Sequence, residues 1–384
     1  MIQKITIEDF LKLVKLHPVL DVRSPGEYAH AHIPTAHSLP LFNDEERKQV
    51  GTAYKQQSRE AAIKIGLDYF GVKMKAMVEQ TESIVGSWQL AMGNQQSAPG
   101  ELPTANCVLV HCWRGGMRSA AVAWLLDMYG FKVYLLTGGY KTYRKWVLAQ
   151  FEKNYNFNII GGYTGSGKTL LLHELKKQGK IIIDLEGLAN HKGSAFGALE
   201  GIPQPGQEMF ENTLVQALAQ SAVVSGQLAV GGEQFGDIAN RQLQIANCIF
   251  IEDESQRIGN IQIPMPLWYS MRKAPVFFID IPFEERLIYI TEEYGKLKKD
   301  TIKDAILRIQ KRLGGLETKN ALQFLQENNL MECFRILLSY YDKWYHKGLH
   351  NRENITTLLN KIPCTGVDTD INTQKLLSCH IVNA

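Results

Sequence analysis

The sequence predicts an α/β protein built from two parallel-sheet domains. Three observations predict it. The chain has 384 residues, enough for two cores of ordinary size. Short apolar runs alternate with stretches of helical spacing, the order that builds parallel sheets flanked by helices. Twice, at 107–129 and 157–177, an apolar run passes through a glycine-rich turn into a helical pattern.

The elements follow in order. "TIEDFLKLV" has helical apolar spacing with Thr6 as its cap, and "PVLDVRS" is a short strand ending in a charged turn. Residues 43–100 are more polar, with helical stretches such as "FGVKMKAMVEQTESIV", and end in the loop-forming "GNQQSAPGELP". "CVLVHC" reads as a buried strand, "RSAAVAWLLDMYG" as a helix closed by Gly130, and "KVYLLTGG" as a strand with a glycine stop. "KTYRKWVLAQFEKNY" is a linking helix. Beyond it, "FNII", "KIIID", "CIFIED" and "APVFFIDI" are buried strands, and 283–346 is mainly helical. The domains are therefore placed at 1–145, with a helical insertion near 43–100, and at 146–384.

Composition narrows the class. A hydrophobic share of 45% and a charged share of 21% are those of a soluble globular protein. A net charge of +3 does not demand nucleic acid as a partner, though it leaves room for a local basic patch. No stretch resembles a signal peptide or reaches the roughly 20 apolar residues of a membrane helix, so a cytoplasmic protein without a membrane partner is expected. Six cysteines with no CxxC pair argue against a zinc knuckle and for free thiols in a reducing compartment.

"GYTGSGKT" fits the phosphate-binding pattern G-x-x-x-x-G-K-[ST], with a strand before it and a helix after. Gly162, Gly165 and Gly167 let the backbone curl its N–H groups, with that of Ser166, around an anion at a helix N-terminus. Lys168 reaches the outer phosphates, and Thr169 is the ligand for Mg²⁺, a candidate ion here. Asp184, Asp253 and Glu254, at the ends of neighbouring strands, are the candidate acids to orient that ion or its water. "LEGLANHKGSAFG", with His191 and Lys192, is either part of an acceptor pocket or a plain loop; spacing alone favours the loop.

"VLVHCWRGGMRSA" places Cys112 at a strand-to-helix turn. A helix N-terminus and two arginines favour the thiolate, and the loop's N–H groups suit an anion nest. Arg114, Gly115, Gly116 and Arg118 form the oxyanion site, with Cys112 as the nucleophile. The bland alternative is a buried structural thiol, which two arginines and two glycines within six residues disfavour. His111 points to the other face of the strand and reads as a structural partner; Cys107 reads as core. His-Cys-x5-Arg-Ser is also the tyrosine phosphatase signature, for which Asp21 and Asp44 are nominal general acids.

"LDVRSPGEYAHAHIPTAHSLP", the cysteine loop and "VYLLTGGY", in that order, resemble the rhodanese pattern, apart from the long insertion. In that family the cysteine carries a transferable sulfur or selenium, and the resemblance gives Asp21 and Arg23 a structural role. With "GGYTGSGKT", "DLEGLANHKGSAFG" and "EDESQRIG" added, the whole chain resembles the bacterial tRNA 2-selenouridine synthases. The resemblance implies a rhodanese-like domain followed by a P-loop NTPase-like domain with a parallel sheet and a helical C-terminal part. It implies a transferase with selenotransferase and geranyltransferase activities, acting on tRNA that carries 2-thiouridine at the wobble position. Geranyl diphosphate would alkylate the sulfur, and selenophosphate would supply selenium, with Cys112 holding it as a selenylsulfide. No tightly bound cofactor is expected. "YKTYRKW" and residues 286–312, with Lys and Arg among Tyr, are candidate tRNA contacts. The alternatives are a phosphatase–kinase fusion using the same two loops and a nucleotide switch joined to an inactive rhodanese fold; an intact Cys112 counts against the switch.

Overall fold

The structure is a computed structural model and describes residues 2–93, 106–192, 202–228 and 248–383. The chain forms two compact units, Met1–Gln150 and Phe151–Ala384. Among the described residues no helix is long and apolar enough to cross a membrane.

The N-terminal unit runs β1 (Ile2–Ile5), α1 (Ile7–Leu13), β2 (Val19–Asp21), α2 (Pro25–His30), β3 (Ala36–Ser38), α3 (Asp44–Gln56), α4 (Arg59–Gly93), β4 (Cys107–His111), α5 (Met117–Tyr129), β5 (Lys132–Leu136) and α6 (Gly139–Gln150). Its parallel sheet has the order β1-β5-β4-β2-β3, which leaves β4 central. Local signals start and stop the helices. The Thr6 hydroxyl accepts from the Asp9 N–H at 3.3 Å, and Gly130 ends α5 with φ 115°. Asn43 and Glu46 form a reciprocal capping box at the start of α3.

Strand alternation sorts β4 into two faces. Val108, Val110 and Cys112 join the core that holds Leu20, Val22 and Leu126. His111 faces the other way, 3.8 Å from the Asp21 carboxylate and stacked near Tyr140. Asp21 and Arg23 are buried together. The Arg23 guanidinium donates to both Asp21 oxygens and to the Ala31 carbonyl, and lies 3.9 Å from the Tyr140 ring centroid. Removing either partner would strand a buried charge, at a cost of roughly 3–5 kcal/mol. This is the structural role the resemblance gives them.

The insertion packs on the same core. Phe70, Met77, Val78 and Val85 of α4 lie at helical-face spacing and are all buried in it. Residues 47–55 of α3 and 62–70 of α4 thereby share a cavity with the β4–α5 turn.

The C-terminal unit runs β6 (Phe157–Gly161), α7 (Lys168–Lys177), β7 (Ile181–Ile183), α8 (Leu185–Leu188), α9 (Gln207–Leu228), β8 (Ile249–Glu252), the hairpin β9 (Arg257–Ile258) and β10 (Ile261–Gln262), α10 (Met265–Arg272) and β11 (Val276–Asp280). Then follow α11 (Phe283–Tyr294), α12 (Lys299–Leu313), α13 (Gly315–Gln326), α14 (Leu330–His350), α15 (Ile355–Leu358), β12 (Leu359–Pro363) and α16 (Thr369–Asn383). The parallel sheet has the order β12-β11-β6-β8-β7, so β6 is central. β12 lies in the stretch after 350, where the sequence shows no motif. It pairs with β11 from Leu359 to Pro363.

Helices α11 to α14 share their own apolar cluster, including Leu287, Ile306, Leu325 and Phe334. Arg286 fastens this cluster to the loop after β6. Its guanidinium donates to the Thr164 carbonyl at 3.0 Å and makes a two-pronged pair with Asp342 at 2.8 and 2.7 Å.

Candidate active site

In the N-terminal unit, Cys112 is 3% exposed at the turn from β4 into α5, with Sγ 3.1 Å from the Ser119 hydroxyl. Ser119 is the residue after Arg118 in the Cys-x5-Arg-Ser pattern. The loop is held from below. The Tyr140 N–H donates to the Cys112 carbonyl at 2.8 Å, and Lys141 N–H to the Trp113 carbonyl at 2.9 Å. Gly139 has φ 59°, and a Cβ there would overlap the Cys112 carbonyl oxygen and the Gly115 nitrogen. The glycine pair that reads as a strand stop is thus the seat of the cysteine loop.

Gly115 adopts φ 64°, and Gly116 caps α5, whose first N–H groups are unpaired within the helix. Arg114, Gly116 and Arg118 line one wall of a 740 Å³ cavity that contains Cys112. Arg118 Nη1 lies 2.6 Å from Glu27 Oε2, with a second contact of 3.4 Å to Oε1. Burial alone would raise the Glu27 carboxyl; the Arg118 hydrogen bond and charge outweigh it and hold it down at about 2. Arg118 therefore reaches the cavity already braced by a carboxylate, which spacing does not reveal.

The two nominal phosphatase acids are committed elsewhere. Asp21 is buried against Arg23, and Asp44 accepts from the Gly26 N–H at 3.0 and 3.1 Å. Cations Arg47, Lys48, Lys55, Arg114 and Arg118 line the cavity, and among the described residues none of its lining is Asp or Glu. A phosphatase needs a general acid there for its leaving group. His111 is buried, and that burial, opposed by the nearby Asp21, lowers its basicity. It lies on the face of β4 away from the thiol.

In the C-terminal unit, Gly162 to Thr169 wrap the end of β6 and open α7, as the motif requires. Gly165 has φ 81°, and a Cβ would stand 2.6 Å from Ile290 Cδ1. Lys168 Nζ donates to the Gly162 carbonyl at 3.0 Å and lies 5.4 Å from the Tyr345 ring centroid. Ser166 bonds back to the Tyr163 carbonyl at 2.8 Å. The loop faces a 500 Å³ cavity walled on the other side by Tyr289, Tyr294, Tyr341, Trp344 and Tyr345.

Of the three candidate acids, Asp184 turns away from the loop. It caps α8 through the Gly187 N–H at 2.7 Å and pairs with His173 at 2.9 Å. The carboxylate that reaches the Thr169 hydroxyl, at 3.1 Å, is Glu186, two residues further on. Asp253 lines the cavity but is held by Arg352 and by the Tyr345 hydroxyl, which donates to it at 2.8 Å. Glu254 also lines it; burial and the Glu186 charge push its carboxyl up to about 8. Glu252 is buried beside them and raised by the same two causes, with Oε1 lacking a partner among the described residues.

Among the described residues no three His, Cys, Asp or Glu side chains converge into a metal cage. The Thr169 hydroxyl and flanking carboxylates are hard oxygen donors of the kind Mg²⁺ takes when phosphates complete its shell. Lys192 lines the cavity, while the Gly-Ser-Ala run after it, 193–197, lies outside the described residues.

Sequence reading missed Glu186, Tyr345, Arg286 and Ser119. Ser119 and Glu186 stand inside quoted motifs, where helix direction was the available signal. Tyr345 accepts the Gly162 N–H at 3.2 Å from 183 residues away, which no local pattern carries. The tRNA-contact candidates divide. Tyr140 and Tyr143 of "YKTYRKW" are 0% and 2% exposed, so they are core rather than stacking platforms. Tyr289 and Tyr294 line the phosphate-loop cavity, while α12 keeps Lys303, Arg308, Lys311 and Arg312 exposed.

Comparison with known proteins agrees with this two-part architecture. A rhodanese-like domain family matches residues 6–145, and the tRNA 2-selenouridine synthase AAA domain family matches 155–361. A tRNA 2-selenouridine synthase from Hydrogenovibrio crunogenus is 33% identical over 378 residues, covering 90% of this chain and 93% of the relative. One from a Sulfurovum species is 32% identical over 361 residues, covering 87% and 88%. A rhodanese-type cysteine unit, a phosphate-loop unit and this likeness along nearly the whole length lead to one conclusion: the chain belongs to the tRNA 2-selenouridine synthase family.

Proposed function

We propose that the protein is a transferase that replaces the 2-sulfur of a wobble thiouridine in tRNA by selenium, through an S-geranyl intermediate. The observation that carries this reading is the cavity at Cys112, whose described lining residues include five cations and no acid, the Glu27 carboxylate being committed to Arg118 and Arg47. It suits an anionic selenium donor and an RNA backbone, and lacks the acid a phosphatase needs. The relatives' names supply tRNA and selenouridine.

In the first step the thiocarbonyl sulfur attacks the allylic carbon of geranyl diphosphate. The C–O bond breaks, diphosphate leaves with the pair, and the base loses its N3 proton. Backbone N–H groups of 162–169 and Lys168 hold the diphosphate. The Tyr289, Tyr294, Tyr341 and Trp344 faces stabilise the positive charge that grows on the allylic carbon, which favours an allylic diphosphate over ATP. Mg²⁺, bound through Thr169 and the phosphates with Glu186 beside it, would neutralise the leaving diphosphate.

In the second step the Cys112 thiolate attacks C2 and the geranyl thiolate leaves with the C–S pair; the selenium of selenophosphate then attacks C2 and Cys112 leaves as thiolate. Water then cleaves P–Se, giving phosphate and the selenocarbonyl. This sequence needs no oxidant or reductant. Cys112 is the thiol that meets the donor; Arg114, Arg118 and the N–H groups at Gly115 and Gly116 hold its oxyanion. The exposed basic face of α12 supports contact with the RNA backbone.

The test is nucleoside analysis of thiouridine tRNA incubated with the purified protein and geranyl diphosphate, selenophosphate, or both. S-geranyl nucleoside is expected with the first alone, and selenouridine only with both. Selenouridine from selenophosphate alone would remove the alkylated intermediate; no product in any mixture would remove the whole reading.

A further inference from the structure

The cavity at Cys112 is much larger than a selenium donor requires. Its 740 Å³ falls within the roughly 300–1,000 Å³ of sites that enclose a whole organic ligand, and a tetrahedral oxyanion would fill only a corner. Most of its wall is hydrocarbon. Phe42, Ile63, Leu67, Phe70, Met117 and Ala121 line it, supplied by α4, the approach to α3 and the start of α5. Leu67 and Met117 are 57% and 49% exposed, large apolar side chains left facing the opening. Such a cluster in a cavity marks a binding surface.

Charge is arranged around this wall. Lys48, Lys55 and Arg114 line the same space, and among the described residues no acid does. The ligand that complements both features has an apolar chain and an anionic body, and its reacting atom lies beside Cys112. Neither a free oxyanion nor an ordinary nucleotide has the chain.

We infer that the insertion helices α3 and α4 build the seat for the hydrocarbon chain on the nucleotide's sulfur, holding the alkyl thiolate as it leaves C2 while the cations hold the RNA phosphates. The inference rests on the alkylated-intermediate reading above. It gives the insertion a purpose: a wall of Ile63, Leu67 and Phe70 selects the alkylated base for selenium transfer over the plain thiouridine. Each buried methylene adds roughly fourfold to binding, so chain length is the property this wall would sense.

The experiment uses the full chain and anticodon stem-loops carrying S-methyl-, S-dimethylallyl- or S-geranyl-2-thiouridine, with selenophosphate saturating. The readout is kcat/KM for selenouridine formation, so no alkylation step intervenes. In the wild-type protein kcat/KM is expected to rise at least tenfold from methyl to geranyl. Leu67→Glu puts a carboxylate into the wall at an exposed position, and thermal melts check its folding. It is expected to bring the geranyl-to-methyl ratio within about threefold of one. Equal rates for all three chains in the wild type, or a preference that survives in Leu67→Glu, would overturn the inference while leaving the intermediate intact. Conversion of plain thiouridine but of no alkylated substrate would instead overturn the reading beneath it.

Discussion

Arg118 and Glu27 form a two-pronged ion pair, 2.6 and 3.4 Å, that joins the start of α5 to α2 across 91 residues of sequence. Glu27, at about 2, is held below the ordinary carboxylate value of 4.5. A depressed carboxyl stabilises the fold above its unfolded value and loses that contribution as pH falls through its folded one. The wild-type N-terminal unit is therefore expected to lose melting temperature between pH 4.5 and about 2 more steeply than Glu27→Gln. Melts across pH 2–6 check this. Parallel curves would mean that the pair contributes nothing to the fold.

Cys112→Ser should stop selenium transfer by roughly three orders of magnitude or more while alkylation continues. The hydroxyl can keep the contact with Ser119, so the fold should survive. It cannot supply a thiolate. S-geranyl nucleoside should therefore accumulate in reactions containing both donors. Normal selenouridine from a well-folded Ser variant would remove Cys112 from the chemistry.

The local parts of both sites were legible, because strand, turn and helix follow one another within a few residues at Cys112 and at Gly162–Thr169. What the sequence hides is supplied from a distance. Glu27 braces Arg118, Tyr345 meets Gly162, and Phe70 and Leu67 bring the insertion to the cysteine. Asp184 is misleading for a different reason. At the end of β7 it becomes the cap of a one-turn helix, and that turn swings Glu186 rather than Asp184 onto Thr169. The Tyr and Lys mixture of "YKTYRKW" suggests an RNA surface, yet Tyr140 is spent on covering Arg23.

Gly139→Ala tests the seat under the cysteine loop. The left-handed backbone alone costs a residue with Cβ about 1–2 kcal/mol. The added carbon must also displace the Cys112 carbonyl or the Gly115 nitrogen. Melting of the N-terminal unit should fall by roughly 2–8 °C. Selenium transfer should drop further than alkylation, since only the cysteine loop moves. A variant as stable and active as wild type would show that the loop does not depend on this contact.

Lys168→Ala should impair alkylation and spare selenium transfer. Its ammonium is a point charge that donates to the Gly162 carbonyl and lies near the Tyr345 ring, within the phosphate loop. Losing a charged hydrogen bond to a phosphate typically costs about 1.5–3 kcal/mol, or roughly 10- to 150-fold in kcat/KM for geranyl diphosphate. Pre-alkylated stem-loops should still be converted at the wild-type rate. An equal fall in both assays would point to a phosphate-dependent step shared by the two.

Glu254 lies in the same cavity as Lys168, and burial with the Glu186 charge holds its carboxyl up at about 8, above the ordinary 4.5. Here the sign is opposite to that of Glu27. A raised carboxyl is neutral in the fold, so its stabilising share is complete below pH 4.5 and is lost as pH rises through about 8. Glu254→Gln stays neutral throughout. The melting temperature of the wild type, compared with the Gln variant, should therefore decline between pH 5 and 9, with the steepest part ending near 8. The same charge matters for the ligand, because an ionised Glu254 would repel a diphosphate beside Lys168. Alkylation by the wild type should fall above pH 8 while the Gln variant holds its rate longer. Identical pH profiles for the two proteins, in both melting and alkylation, would show that Glu254 is already ionised in the fold.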